Sequence, residues 1–338
     1  MKKFLVTMLA VAMAIGVAGC GGGEKKAADT KAAGGAATTG FYKGKNVTMI
    51  VPWSAGGGSD NGARLLVPYV EKKLGCTITV TNPTGGSGWV GWQQMLTGKP
   101  DGLTISLVNW PTLLSGYLNP KMKRKYTVKD FQLIANHVTD DSVIALNKNE
   151  KRFTDMKSLI EYAKKNEVTF GTTGPGTDDS ILMNQLNAAL GTKFKEVASK
   201  GWADNSAAIQ GGHIDVTAGN VSEVKALYEG KELKVVAIFA DKENPLLKGV
   251  PTFNSMNLGT KIINSSQRGY ATKAGIPAGA LKELADAFKD AINDKEQIKK
   301  MADIGLRVDY MDPEAYGKMV QEEETTMKGM SKIMGWTK

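Results

Sequence analysis

The chain has 338 residues, with 43 Lys and Arg against 34 Asp and Glu, and it contains only two Cys and two His. This composition provides too little Cys and His for a zinc cluster or a disulfide framework, so we expect neither a bound metal nor a cofactor. The length predicts about two domains, and a hydrophobic content of 42% is sufficient for a sizeable core.

The first nineteen residues have the form of a secretory signal peptide. Lys2 and Lys3 precede an apolar stretch that is too short to cross a bilayer comfortably and that ends in small residues. The following Val17-Ala18-Gly19-Cys20 resembles the bacterial lipobox, in which the Cys becomes the lipidated N-terminus. We therefore predict a lipoprotein signal peptide at 1–19 and a lipid on Cys20; an ordinary signal peptide with an incidental Cys is the alternative.

Residues 20–43 consist mainly of Gly, Ala, Lys and Thr, and they predict a flexible tether because they offer no apolar face to bury. Phe41 and Tyr42 are the first residues that look folded. The net charge of +9 falls to about +4 once the signal peptide and the tether are set aside. The remaining chain has no Arg-rich stripe interleaved with aromatic residues, so no nucleic-acid partner is expected.

From Asn46 onward, short β-branched strands alternate with Gly-rich turns and amphipathic helices. This alternation predicts a mostly parallel α/β sheet. The pattern restarts beyond residue 140, which indicates two lobes of one architecture. We assign residues 44–139 and 263–338 to the first lobe and residues 140–262 to the second.

Three of the strand-to-helix turns are rich in Gly, at 55–60, 85–91 and 171–179. Gly allows a ligand to approach the main-chain N–H groups closely, and a helix N-terminus adds unpaired donors with a partial positive charge. In open α/β sheets such turns lie at the carboxyl ends of the strands, where ligands bind. The turns therefore predict an anion site for a carboxylate, phosphate or sulfate.

Patterns typical of enzymes are weak in this sequence. Gly86–Gly91 fits the dinucleotide fingerprint G-x-G-x-x-G, but the next strand ends in Asn109-Trp110 without the acidic residue that the fingerprint requires. There is no G-x-S-x-G elbow, and His137 and His213 stand apart in the sequence. The sequence leaves open a Ser-His-Asp triad whose members come together only in the fold. A secreted α/β enzyme, dinucleotide-dependent or hydrolytic, is therefore the alternative function.

Several loops resemble those of the extracytoplasmic solute receptors of tripartite tricarboxylate transporters, also called Bug proteins. The matching stretches occur in order over nearly the whole mature chain: VPWSAGGGSDNGAR at 51–64, NPTGGSGWVG at 82–91, GTTGPGT at 171–177, KG at 200–201, GGHID at 211–215 and GVPTF at 249–253.

The resemblance implies an α/β type II periplasmic-binding-protein fold, with a ligand cleft between two lobes and no catalysis. It further implies capture of a small di- or tricarboxylate or a related acid, delivered to a membrane permease. The ligand-binding residues that it implies are Trp53, Ala55, Gly56, Gly57, Ser59, Asp60, Thr84, Gly85, Gly86, Ser87, Thr172, Thr173, Thr177, Lys200, Gly201, Trp202 and Asp204.

The chain departs from the family pattern on the second-lobe side. Ser180 stands where the family usually has His, Ser199 stands where it usually has Tyr, and Trp202 and Asp204 replace small residues. Ligand identity is therefore left open. Asp60 and Asp204 could accept hydrogen bonds from an ammonium group, so an amino acid is one option, while Asp60 equally fits a helix cap. A signalling receptor of the same fold is a further alternative.

Overall fold

The computed structural model describes residues 40–337. The signal peptide, Cys20 and most of the tether lie outside the described residues, so the predictions made for them stay predictions. The backbone N–H groups of Phe41 and Tyr42 donate to the Glu283 carboxylate at 2.6 and 3.2 Å, and Tyr42 is fully buried. Packed structure is thus present inside the range assigned to the tether, at the two residues that the sequence identifies as folded.

Strands and helices alternate through most of the described chain, as predicted. The strands are β1 (Asn46–Ile50), β2 (Thr77–Thr81), β3 (Thr104–Trp110), β4 (Phe131–Asn147), β5 (Val168–Thr172), β6 (Phe194–Ala198), β7 (Val216–Asn220), β8 (Leu233–Ile238), β9 (Ser265–Lys273) and β10 (Val308–Met311). The helices are α1 (Gly58–Leu74), α2 (Trp89–Thr97), α3 (Thr112–Leu118), α4 (Met156–Lys165), α5 (Asp178–Leu190), α6 (Trp202–Gln210), α7 (Val221–Glu229), α8 (Ala278–Ile292), α9 (Lys295–Asp303) and α10 (Pro313–Gly329).

Local sequence accounts for the ends of the helix that enters the second half. Thr177 caps α5, because its side-chain oxygen accepts from the Ser180 N–H. Gly191 ends α5 in the left-handed conformation, with φ 69°, which Gly adopts without a Cβ penalty. The cap at Thr177 joins the start of α5 to the turn at 171–177, which follows β5, and Gly191 sets where the helix ends.

The strands follow the order β2-β1-β3-β9-β4-β7-β5-β6, and β8 and β10 also pair with β4. β1 pairs in parallel with β2 and β3, and β5 pairs in parallel with β6 and β7, as the sequence predicts. The central pairs, by contrast, are antiparallel, because β9 and β4 run against their neighbours. The expectation of a mostly parallel sheet therefore holds only for the outer strands.

Strand β4 connects the two halves of the molecule. Its residues 131–141 pair with β9, whereas residues 142–147 pair with β7 and β8. Below, lobe 1 denotes the half built on β1–β3, β9 and β10, and lobe 2 denotes the half built on β5–β8.

Each lobe has apolar clusters of its own. In lobe 1, helices α1 and α8 cover β1 and β3 around Met49, Leu66 and Phe288. In lobe 2, Phe170 and Leu182 pack with their neighbours in a separate cluster. Ile181 of α5 belongs to a further cluster made otherwise of lobe 1 residues, so the apolar cores are divided between the lobes except at this point.

Candidate functional site

A small cavity of about 20 Å³ lies between the lobes, and it is called the cleft cavity below. Of the predicted ligand-binding residues, Trp53, Gly57 and Ser59 line it from lobe 1, and Thr173, Gly201 and Trp202 line it from lobe 2. The other lining residues were not predicted: Ser54, Gly58, Asn109, Asp178, Asp179, Asn220, Glu223, Ser266 and Arg268.

The first Gly-rich turn forms the lobe 1 wall of the cleft cavity. Gly57 is the N-cap of α1, and the N–H groups of the first helical turn have no acceptor within the helix. A Cβ at Gly58 would lie 2.5 Å from Ser222 Oγ and 2.7 Å from Arg268 Nη1. Only Gly therefore allows this turn to approach lobe 2 so closely, and the turn brings free donors to the cavity as predicted from its composition.

Asp60 holds the lobe 1 loops together. Its carboxylate accepts from the Gly56 N–H at 3.0 Å, from Arg64 Nε at 2.9 Å and from Asn82 Nδ2 at 3.0 Å. Burial alone would raise the pKa of Asp60, but these hydrogen bonds outweigh it and hold the pKa below its ordinary value. Asp60 does not line the cleft cavity, and its contacts are with residues of the lobe 1 loops, so they support a structural role rather than a ligand contact. The N-cap position of α1 is occupied by Gly57 and not by Asp60.

The second Gly-rich turn lies in a groove beside the cleft cavity. Gly85, Gly86 and Ser87 line this groove together with Lys200 from lobe 2. The Ser87 hydroxyl donates to the Pro175 carbonyl oxygen at 2.9 Å. The turn at 85–88 is therefore in direct contact with the lobe 2 turn at 171–177.

Two predicted threonines serve the local structure of the lobe 2 turn. The Thr172 hydroxyl donates to Glu196 Oε1 at 2.8 Å and accepts from the Gly174 N–H. The Thr177 hydroxyl donates to the Gly174 carbonyl oxygen at 2.8 Å. Neither side chain lines the cleft cavity or the neighbouring groove, so both shape the turn in which Thr173 reaches the cavity.

The remaining predicted residues lie outside the cleft cavity. Gly56 lines a separate outer groove next to Trp202. Ala55 and Asp204 are exposed, Thr84 is half-buried, and none of the three lines the cavity or the groove at 85–88. The structure therefore does not bring Asp60 and Asp204 together at a ligand position.

Arg268 on β9 is the cation of the cleft cavity, and sequence reasoning missed it. It is 3% exposed, forms an ion pair with Asp140 on β4 at 2.9 Å, and donates to Asn220 Oδ1 at 2.7 Å. The Nε of this guanidinium has no hydrogen-bond partner among residues 40–337. The signal that could have identified Arg268 is a single Arg within the strand-like segment SQRGYAT at 266–272, because a charged side chain in a buried strand requires partners.

Three carboxylates form the lobe 2 wall of the cleft cavity. Asp178 accepts from Asn220 Nδ2 at 3.0 Å, and Asp179 Oδ2 accepts from the Thr173 N–H at 3.0 Å and from its hydroxyl at 2.7 Å. Glu223 Oε2 accepts from the Asn220 N–H at 3.0 Å. These three acids, with Asp140 behind them, face one guanidinium.

Burial raises the pKa values of these acids. For Asp179, burial acts first and repulsion from Asp178 and Glu223 adds to it, so its pKa lies well above the ordinary value. Burial likewise raises the pKa of Asp178, and it raises that of Glu223 to about 7. These acids therefore hold their protons to a higher pH than exposed carboxyl groups do, which reduces the negative charge of the lobe 2 wall.

Residues that would support enzymatic chemistry are dispersed. His137 is buried between Tyr270 and Gln297, burial lowers its pKa to about 3, and it does not line the cleft cavity. Within the described chain, no three or more His, Cys, Asp or Glu side chains are grouped to hold a metal ion. Nor does any helix within residues 40–337 combine the length and apolarity needed to cross a membrane.

Comparison with known proteins identifies relatives over most of the chain. The UPF0065 protein in the gbd 5′ region of Cupriavidus necator is 26% identical over 295 residues, which cover 86% of this chain and 88% of that protein. The structure of the periplasmic binding protein BugD matches with a TM-score of 0.78 and 25% identity, covering 87% of this chain and 99% of that one. MatC from Rhodopseudomonas palustris with bound malate matches with a TM-score of 0.79 and 21% identity, covering 86% and 99%.

These likenesses confirm the predicted periplasmic-binding-protein fold with two α/β lobes. The family and the structural neighbours are solute-binding receptors rather than enzymes, so the predicted enzyme alternative is not favoured. The model of the tripartite tricarboxylate transporter family receptor matches residues 63–335. The chain therefore belongs to the family of receptors of tripartite tricarboxylate transporters.

Proposed function

We propose that this protein is a lipid-anchored, extracytoplasmic receptor that binds a small carboxylate between its lobes and delivers it to a tripartite tricarboxylate-type permease. The observation that carries the proposal is the cleft cavity itself. Its lobe 1 wall contains the start of α1 at Gly57 and Gly58, and the facing wall comes from the other lobe of a solute-receptor fold. MatC, a protein of the same fold, holds the dicarboxylate malate.

The carboxylate would bind at the start of α1. The N–H groups of the first helical turn lack acceptors within the helix, and the partial positive charge of the helix end favours an anion. Ser59 and Trp53 flank this turn, and both are bonded to Asn109, which keeps them in place. Ligand capture would thus use the fixed dipoles of the α1 turn, and the guanidinium of Arg268 adds a positive charge beside them.

Binding would be accompanied by closure of lobe 2, residues 140–262, onto lobe 1, residues 44–139 and 263–338. Contacts between the lobes support this proposal. Besides the Ser87 bond to Pro175, the Ser115 hydroxyl donates to the Gly176 carbonyl oxygen. These bonds join the turn at 171–177 to Ser87 and to helix α3 across the cleft, and they would break and reform while β4 and β9 act as the connection.

Anchoring and delivery depend on the N-terminal segment. A lipid on Cys20 and a tether of about twenty residues would keep the receptor at the membrane and leave the lobes free to meet permease subunits. We expect the full-length Cys20→Ser variant to appear in the soluble fraction with unchanged ligand affinity. Continued membrane attachment of that variant would contradict the anchor.

Calorimetry on the detergent-solubilised full chain tests the binding function. Malate, succinate, citrate and the standard amino acids would be titrated, with NAD and ATP as controls. We expect at least one small carboxylate to bind with micromolar or tighter affinity and to raise the melting temperature. Binding of a dinucleotide without binding of any carboxylate would overturn the proposed function.

A further inference from the structure

The groove beside the cleft cavity carries positive charge without an acid to balance it. Arg124, in the segment between α3 and β4, lines the groove from lobe 1, and Lys200, between β6 and α6, lines it from lobe 2. Within residues 40–337, no Asp or Glu is among its lining residues. The buried acids of lobe 2 line the cleft cavity instead, so the groove is the space suited to an anionic group.

The guanidinium of Arg124 has few partners in the protein. Its Nη2 donates to the Gly86 carbonyl oxygen at 3.2 Å, whereas its Nε is buried and has no hydrogen-bond partner among residues 40–337. Burial lowers the pKa of Arg124, and no carboxylate of the described chain is near enough to raise it. A guanidinium has five N–H donors and keeps its charge, so most of its capacity is left to water or to a ligand.

The groove also provides the space that the cleft cavity lacks. Its volume is about 280 Å³, against about 20 Å³ for the cleft cavity, which has room for about one water molecule. Trp53 and Thr173 line both spaces, so the two adjoin. A ligand with its first carboxylate at the start of α1 would therefore extend into the groove.

We propose that Arg124 is a specificity-determining residue of this receptor: its guanidinium binds a second anionic group of the ligand, and Lys200 binds the same group from lobe 2. This inference rests on the proposed function, which provides the first carboxylate position at the start of α1. A guanidinium matches the geometry of a carboxylate, and hydrogen bonds between charged partners are roughly twice as strong as neutral ones. The far end of the ligand is thus recognised by charge.

The position of the two cations on different lobes links recognition to closure. Arg124 is fixed on lobe 1, because its guanidinium carbon lies 5.3 Å from the centre of the buried Trp89 ring and its Nη2 is bonded to Gly86. Lys200 is exposed, so its ammonium group is free to adjust. An anion between them replaces repulsion of two like charges by attraction, which favours the closed arrangement. A ligand with a neutral far end gives no such gain.

Matched pairs of ligands test this proposal by calorimetry on the detergent-solubilised full chain. Malate, succinate, glutarate, adipate and citrate would each be compared with the derivative in which one terminal carboxylate is a neutral amide. We expect at least one of these acids to bind about ten-fold or more tightly than its amide.

Three outcomes of this comparison are decisive. Equal binding of the acids and their amides would overturn the inference and leave the proposed function intact. Tighter binding of an amino acid with a neutral side chain than of any of these acids would do the same. No binding by any carboxylate would overturn both.

Variants assign the contact to Arg124. Arg124→Met is expected to weaken binding of the preferred acid about ten-fold or more, while its amide stays within about two-fold of the parent value. Arg124→Lys keeps the charge and is expected to recover part of the loss. Lys200→Met is expected to cost about three-fold, because an exposed charge contributes less.

Lys125→Met is the matched control, because Lys125 belongs to the same basic segment, is exposed and does not line the groove. Its affinities are expected to equal those of the parent, and circular dichroism would verify folding of every variant. Equal loss of acid and amide in Arg124→Met would contradict a contact with the second anionic group. No recovery in Arg124→Lys, or the same loss in Lys125→Met, would contradict recognition by the charge of Arg124.

Discussion

The two walls of the cleft cavity carry charged side chains of opposite sign. On lobe 1, Arg268 is the charged residue that lines the cavity, and the other groups are neutral: Asn109 accepts from Trp53 at 2.7 Å and donates towards Ser59 and Ser266. On lobe 2, the adjacent acids Asp178 and Asp179 are buried, and among residues 40–337 no Lys or Arg of that lobe lines the cavity. The comparison indicates that lobe 1 brings a positive charge and the start of a helix to the cavity, whereas lobe 2 brings acids whose pKa values burial raises.

The largest expected effect comes from removing the cation between the walls. Arg268→Met would leave Asp140 and the wall acids without any positive charge, so we expect the free energy of unfolding to fall by about 3–5 kcal/mol in urea denaturation. Asp140→Asn should cost less, because Asp178 and Glu223 remain close to the guanidinium. A loss no larger than that of the exposed-pair control Lys282→Met would contradict this role of Arg268.

The next effect is on the pH dependence of stability. Glu223 keeps its proton in the folded protein up to about pH 7, because burial raises its pKa and the attraction of Arg268 only partly offsets this, whereas an unfolded Glu releases it near pH 4.5. Folding therefore takes up protons between these values. The contribution of Glu223 to stability is complete below pH 4.5 and is lost as the pH rises through about 7.

His137 acts in the opposite direction, since burial lowers its pKa to about 3, and its contribution is lost as the pH falls from 6.5. Comparing Glu223→Gln with the parent chain cancels the effect of His137. We expect the variant to gain about 1–3 kcal/mol relative to the parent between pH 5 and pH 8, in denaturant melts at each pH. A difference independent of pH would show that Glu223 is ionised throughout.

A smaller effect is expected at the lobe 1 wall. Gly58→Ala introduces a Cβ that collides with Ser222 and Arg268, so we expect ligand affinity to fall about ten-fold, equivalent to about 1.4 kcal/mol. Gly279→Ala is the matched control, because Gly279 also lies in the first turn of a helix and no atom lies within 4 Å of its added Cβ. Calorimetry that gave equal affinities for the two variants would refute close contact of the walls in the bound state.

The smallest effect distinguishes the two kinds of carboxylate on lobe 2. Asp179→Asn is expected to raise the free energy of unfolding of the ligand-free protein by about 1 kcal/mol, because it removes the burial cost and the repulsion from Asp178 and Glu223 that raise the pKa of Asp179. Asp215→Asn is expected to lower it. Burial would raise the pKa of Asp215, but hydrogen bonds from Thr169 and Arg152 hold it below the ordinary value. Effects of the same sign in thermal melts would argue against an electrostatic imbalance at Asp179.

Sequence reasoning was most successful where local patterns decide the structure. The Gly-rich turns follow β1, β2 and β5 as expected, since φ preferences and strand periodicity act over a few residues. It was less successful with strand pairing, because Phe131–Asn147 forms one strand shared by two lobes and its antiparallel partner β9 comes more than a hundred residues later. The polar residues in the middle of β4, such as Asn136 and Asp140, interrupt the apolar pattern that would have marked it.

The candidate site divides in the same way. The sequence by itself determined the family and the Gly-rich turn that lines the cleft cavity at Gly57, because both depend on contiguous residues. Only the tertiary structure decided that Asp60 is bonded within the lobe 1 loops and that Asp204 lies outside the cavity. It also decided that Arg268, Glu223 and Asp179 line the same cavity. These residues come from elements that are far apart in the chain. The charge of a cavity wall therefore depends on how the chain folds, and no local sequence pattern encodes it.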